Sequence, residues 1–290
     1  EIDNGWNIDW IRRNKIMKAG NRIKWIALGL TPMMAGFFWQ ILASIVVIVI
    51  YMICKRSEPA AAMTEILEGN GSSYGILMVV INIGYLLMFG LWYGLMFVKG
   101  QKHDNWKQVL KPVRIGGLLL CGIGIQLFLT MALMVIFSFM PMLAEQYKIV
   151  SDMIGSNSVF MILCVSILAP IGEELMFRGV IMQMMEKAIP WQAAIVVQAI
   201  LFGIYHMNLI QGIYATLLGL IFGYVAHRYR SVVPGILLHM AVNSFSYGMI
   251  YLFPAKLEES ILWQIILCVV GLGVTIVALW MYLKDVQREN

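Results

Sequence analysis

The sequence predicts an all-α, polytopic membrane bundle of about eight transmembrane helices. Three observations carry this. The chain has 290 residues and is 60% hydrophobic but only 13% charged, whereas soluble globular chains are about 45–50% apolar and about 25% charged. Its apolar residues fall into eight long runs, and a bilayer core about 30 Å thick needs roughly 20 of them per helix. The charged residues gather between the runs, with the basic excess on every second loop.

The runs cover approximately 27–54, 74–98, 115–139, 158–186, 191–208, 211–227, 233–252 and 261–283. The fourth exceeds the length of a single crossing. The fifth and sixth are joined by a very short link near Asn208 to Gln211. Two regions follow: a basic cytoplasmic or interfacial N-terminus over 1–26, and one transmembrane bundle over 27–290. No repeat or low-complexity linker interrupts the second.

Orientation comes from loop charge. Arg12, Arg13, Lys15, Lys18, Arg22 and Lys24 precede the first run, and Lys99, Lys102, Lys107, Lys111 and Arg114 follow the second. Arg228 and Arg230 follow the sixth, and Lys284 and Arg288 follow the eighth. On the opposite side, Glu58, Glu65 and Glu68 offset Lys55 and Arg56, and Glu145 and Asp152 outweigh Lys148. The positive-inside rule places both termini in the cytoplasm and the protein in the cell membrane. The net charge of +5 is thereby assigned to topology and to anionic lipid, not to nucleic acid. Residues 5–25 mix Trp and Ile with basic residues, as an interfacial helix or a disordered basic flank would. No cleavable leader is expected, because the basic start lacks a small-residue cleavage site.

Cys54, Cys121, Cys164 and Cys268 lie in separate apolar runs without metal-ligand spacing, which reads as small buried hydrophobes. Gln126 and Gln198 read as helix–helix contacts. Gly116, Gly117, Gly122 and Gly124 read as close helix packing, His103 and His227 as solvated, and Glu186 and Lys187 as a hairpin cap. The many Met and Trp residues read as bulk and interface anchors.

Ionisable groups inside a span are costly to bury and are functional candidates by default. They concentrate after residue 170. The fourth run holds Glu173, Glu174 and Arg178; the fifth holds Phe202 and His206; the seventh holds His239 and Asn243. Glu174 and Arg178 are spaced i,i+4 and can pair on one face, while Glu173 points about 100° away. Phe202 with His206, and His239 with Asn243, repeat the same spacing. Glu173 lies 17 residues before Pro190 and His206 lies 16 after it, so an antiparallel pair brings them level, about 25 Å from the turn. One site is expected, closer to the cytoplasmic side. A carboxylate beside an imidazole can activate water, and a His and an Asn on an adjacent face can stabilise an oxyanion. Ser244 and Ser246 lack an evident base.

These residues form three motifs: Glu173-Glu174-Leu175-Met176-Phe177-Arg178, Phe202-Gly203-Ile204-Tyr205-His206 and His239-Met240-Ala241-Val242-Asn243. Together they resemble EExxxR, FxxxH and HxxxN of the CAAX-protease and bacteriocin-processing (CPBP, or Abi) intramembrane peptidases, which include the type II prenyl endopeptidases. The resemblance covers about 158–250. It implies an intramembrane endopeptidase acting on a hydrophobic or lipidated peptide or protein. In that role Glu173 activates water with His206, Arg178 holds Glu174, and His239 and Asn243 stabilise the oxyanion. Phe177 and Phe202 are the implied substrate-binding positions. No metal cofactor is expected; a zinc-dependent variant would use Glu173, His206 and His239. Other readings are a non-catalytic binding protein, such as a bacteriocin-immunity factor, or a Glu/His proton relay in a transporter. The Glu174–Arg178 pair is also consistent with a purely structural role.

Overall fold

The computed structural model describes residues 19–54, 59–68, 71–98, 109–154, 159–252 and 260–287. All eight apolar runs form helices. They are α1 (Ala19–Cys54), α3 (Gly71–Tyr93, continued by a π-helical turn Gly94–Val98), α4 (Pro112–Phe139), α6 (Val159–Met185), α7 (Trp191–Tyr205), α8 (Leu209–Tyr229), α9 (Val233–Leu252) and α10 (Ile261–Gln287). Two shorter helices, α2 (Pro59–Glu68) and α5 (Pro141–Ile154), occupy connections read from sequence only as loops. Most of the interfacial stretch 5–25, the loop lysines before Val109, and His103 lie outside the described residues.

Among the described residues, six helices are long and apolar enough to cross a membrane: α1, α3, α4, α6, α8 and α10. The chain is therefore a multi-pass membrane bundle. Helix α7 is apolar but has only 15 residues, about 22 Å at 1.5 Å rise. Helix α9 is diluted by His239, Asn243, Ser244 and Ser246. The two elements that fall short thus carry site residues.

Lipid tails are as apolar as leucine, so membrane helices associate through packing and hydrogen bonds. The outer faces agree: Met34, Phe38, Leu87 and Phe139 are about 70% exposed. Inside, three apolar clusters form among the described residues, and two of them flank the site. One joins α1, α3, α6 and α7 around Tyr85, Phe89, Phe177 and Phe202. The other joins α4, α8, α9 and α10 around Leu118, Phe222, Leu238 and Tyr282. Helix α8 contributes to both, and the polar groups of α6, α7 and α9 collect at the junction.

Of the four α4 glycines, Gly122 and Gly124 make the expected close contacts. A Cβ on Gly124 would fall 2.8 Å from the Thr275 backbone nitrogen of α10. Gln198 acts between helices as expected, its Nε2 donating to the Gly219 carbonyl (2.8 Å). Gln126 does not: its Nε2 donates to Thr130 Oγ1 of the same helix (3.0 Å), because that partner is one turn away.

The α6–α7 turn is more anchored than expected. His227 is half-buried, its Nδ1 lies 2.9 Å from Glu186 Oε1, and its ring stacks on Trp191 at 4.4 Å. The aromatic neighbour shields it from the solvent assumed for a span end. Lys187 Nζ sits 4.0 Å from the Trp25 ring centre, and burial lowers its pKa below the ordinary lysine value.

Candidate active site

Helix α6 is not uniform. Its first turn, Val159–Leu163, gives way to a π-helical segment, Cys164–Leu168. A short α segment, Ala169–Glu174, then leads into a second π stretch, Leu175–Ile181. Pro170, without an N–H, cannot bond back up the helix, and the Ala169 N–H reaches five residues back to Cys164. Both glutamates ride the α segment between two widened turns, a distortion that often accompanies functional sites.

Glu174 and Arg178 are fully buried and paired, with Arg178 Nη1 donating to Glu174 Oε1 at 2.8 Å. Arg178 Nη2 donates to the Gly219 carbonyl of α8 (3.3 Å). Its guanidinium lies over Phe202 (4.6 Å) and Phe222 (5.3 Å). Glu174 Oε2 and Arg178 Nε have no hydrogen-bond partner among the described residues, so the burial is incompletely compensated.

His239, 4% exposed, joins both carboxylates. Its Nδ1 donates to Glu174 Oε1 at 3.1 Å. Its Nε2 stands 3.8 Å from Glu173 Oε2, and its ring packs on Phe222 and Phe202. Glu173 is the freer carboxylate: its side chain is 16% exposed, against 0% for Glu174.

His206 is held differently. Its Nδ1 donates to the Phe202 carbonyl one turn back (2.8 Å), which leaves Nε2 as the lone-pair atom of the neutral ring. Met207 takes a left-handed φ of 54° directly after it. Asn208 then caps α8 by accepting from the Gln211 N–H (3.0 Å), as an N-cap asparagine does. His206 is thus fixed at the end of α7, its ring 4.8 Å from Phe202. Among the described residues it makes no hydrogen bond to Glu173; the imidazole in direct reach of Glu173 is His239. Asn243 Nδ2 donates to the Val165 carbonyl (3.0 Å), in the first π stretch of α6. Phe177 and Phe202 are 0% and 1% exposed and pack edge-to-face at 5.0 Å. They back the site as a wall.

Several participants were not singled out from sequence. Phe222 carries both Arg178 and His239. A hydrogen-bonded chain runs from Gln40 Nε2 to the Tyr205 hydroxyl (3.1 Å), on to the Tyr85 hydroxyl, and from there to the Gly36 carbonyl (3.2 Å). The only sequence signal for these aromatics was Tyr205 standing beside His206.

Gly235 completes the fit, because a Cβ there would lie 2.5 Å from Glu174 Oε2. That oxygen cannot retreat while Oε1 holds Arg178 and His239. Gly235→Ala is expected to cost about 1–3 kcal/mol by overpacking, read as a lower melting temperature in detergent together with reduced activity.

Residues 155–245 match the model of a family described as type II CAAX prenyl endopeptidase Rce1-like. The chain is related to the CAAX-type intramembrane peptidases. All three motifs fall inside the matched stretch, and so do α6 to α8 and the first part of α9. No curated protein and no solved structure matches the chain. In this peptidase-related region, no three His, Cys, Asp or Glu side chains are grouped to share a metal ion among the described residues.

Proposed function

We propose that the protein is an intramembrane endopeptidase in which Glu173 activates the attacking water. The observation that carries this is the unequal state of two adjacent carboxylates. Glu174 is consumed by Arg178 and His239, whereas Glu173 is part-exposed and meets His239 only across 3.8 Å. A base must have room for its water.

In the proposed reaction Glu173 takes a proton from water as the oxygen attacks the peptide carbonyl. The His239 ring is oriented by Nδ1–H to Glu174, so its Nε2, when protonated, donates to the developing oxyanion. Asn243 spends one amide hydrogen on Val165 and keeps the second for the same oxygen. Collapse breaks the C–N bond, and Glu173 returns its proton to the leaving nitrogen. His206, with Nε2 free, assists at the water from α7. Arg178 holds Glu174, which holds His239.

The reading uses no metal. Its support is geometric: among the described residues no three His, Cys, Asp or Glu side chains are grouped closely enough to share an ion. Full activity in chelator and less than stoichiometric metal in the purified protein are expected. Zinc at one per chain, lost together with activity, would move Glu173, His206 and His239 into a ligand role.

The proposed substrate is a hydrophobic or lipidated peptide reached from the bilayer, with both termini of the enzyme in the cytoplasm. A panel of prenylated and unprenylated peptides tests this. The prenylated or strongly apolar members are expected to be cut and the polar ones spared. His239→Ala is expected to lower the rate by about 10²–10³-fold, the scale of losing an oxyanion donor. A change of less than threefold would remove His239 from the mechanism.

A further inference from the structure

Tyr85 of α3 and Tyr205 of α7 are both buried, and their hydroxyls are hydrogen-bonded to each other. Counting protons gives that bond a direction. A phenol has one proton to donate, an amide nitrogen only donates and a carbonyl only accepts. Tyr85 spends its proton on the Gly36 carbonyl (3.2 Å). The bond between the hydroxyls is therefore made by the Tyr205 proton, and Tyr205 in turn accepts from Gln40 Nε2 (3.1 Å). Gly36 and Gln40 are spaced i,i+4 and lie about one turn apart on α1. The chain of bonds thus leaves α1, passes through α7 and α3, and returns to α1 as a closed ring in which each hydroxyl both donates and accepts.

The ring touches the backbone on both sides of the site. Tyr205 directly precedes His206. Tyr85 leans on the residue directly before Glu173, since a Cβ at Gly172 would fall 3.0 Å from Tyr85 Cβ. Phe37 of α1 and Phe177 of α6 pack on the Tyr205 ring at 5.1 and 5.5 Å. Such rings fill space but set the rotation of a helix only loosely. A hydrogen bond adds little to helix association in lipid, yet it is directional. The imidazole of His206 is tied through Nδ1 to the Phe202 carbonyl of its own helix, so rotation of α7 decides where Nε2 points. Gly36, Gln40 and Tyr85 lie outside the family-matched stretch 155–245. The ring therefore brings two helices to the site that its motifs do not include.

We propose that Gln40, Tyr205 and Tyr85 are positioning residues, whose hydrogen-bonded ring sets the rotation of α7 and so holds His206 Nε2 at the water activated by Glu173. The proposal rests on the peptidase reading and adds α1 and α3 to the machinery that reading uses.

Steady-state kinetics of the full chain test it, on an apolar peptide that wild type cuts, with Tyr205→Phe, Tyr85→Phe, Gln40→Leu and the double variant Tyr85→Phe/Tyr205→Phe. Each phenylalanine keeps the ring and removes one hydroxyl. Each single variant is expected to lower kcat by about 10-fold, short of the roughly 10²-fold that a 1 Å misplacement can cost, with KM within about twofold of wild type. The double variant is expected to be no slower than the worse single, because one missing link already opens the ring and linked positions are not additive. A lowered melting temperature with unchanged kcat would overturn the proposal and make the ring structural only. A raised KM with unchanged kcat would overturn it in favour of a substrate contact, and a double variant slowed by the product of the singles would overturn the ring as a unit. Carbethoxylation of His206 by diethyl pyrocarbonate, read by mass spectrometry, separates this from the peptidase reading. The phenylalanine variants are expected to be labelled faster than wild type, since a helix end released from its partners opens more often. Unchanged labelling would overturn the ring's hold on His206 whether or not any peptide is cut, whereas a wild type that cuts no peptide would count against the peptidase reading.

Discussion

Glu173→Gln is expected to lower peptide hydrolysis by about 10²–10⁴-fold, the usual contribution of a positioned general base. The glutamine keeps the shape and hydrogen-bonding oxygen of the side chain but cannot accept the proton of water. Because Glu173 is part-exposed and outside the buried Arg178 pair, the melting temperature in detergent should move by no more than a degree or two. Activity and stability therefore separate at this position. A variant that loses both in parallel would show Glu173 to be structural.

Arg178→Leu is expected to do the reverse first, and destabilise the bundle. Removing one partner of a buried pair costs about 3–5 kcal/mol, because the other charge is left uncompensated. Here that charge is Glu174, fully buried with one oxygen already unpartnered. Gly219 would lose one of its two donors, keeping Gln198. The double variant Glu174→Leu/Arg178→Leu is expected to recover much of the loss, since two apolar side chains can replace a buried pair at little cost. It should still be inactive, because His239 would lose the acceptor that orients it. Thermal unfolding of the two singles and the double checks this. Additive losses would mean that the pair is not an energetic unit.

Much of the fold was legible because each element rests on local composition. Apolar runs of bilayer length gave seven of the eight main helices within four residues at each end, whereas α1 begins at Ala19, eight residues before its apolar run and inside the stretch read as the basic N-terminus. Helices α2 and α5 were missed because they are short and mixed in polarity. They are tied down by contacts far along the chain or in other elements, such as Tyr147 against Phe137 and Tyr214. The π stretches of α6 were hidden too. Pro170 and Gly172 hint at weakness there, but a five-residue bond is a backbone outcome.

The site was legible as a list more than as a set of contacts. The i,i+4 spacing of Glu174 and Arg178 led directly to their ion pair. Counting residues from a turn brought Glu173 level with His206, yet Glu173 meets His239. Depth along a helix says nothing of rotation about it, and Nδ1 of His206 turns back to its own carbonyl. Phe222 carried no signal, since a phenylalanine in an apolar span is ordinary until a guanidinium lies over it.

The most direct test of the central claim is mass analysis of a hydrophobic or prenylated peptide after incubation with the purified full chain in vesicles made up in H₂¹⁸O. Hydrolysis by wild type is predicted to place one ¹⁸O in the new carboxylate, and Glu173→Gln is predicted to leave the peptide intact. Labelled product formed as fast by Glu173→Gln as by wild type would contradict the assignment of Glu173 as the base.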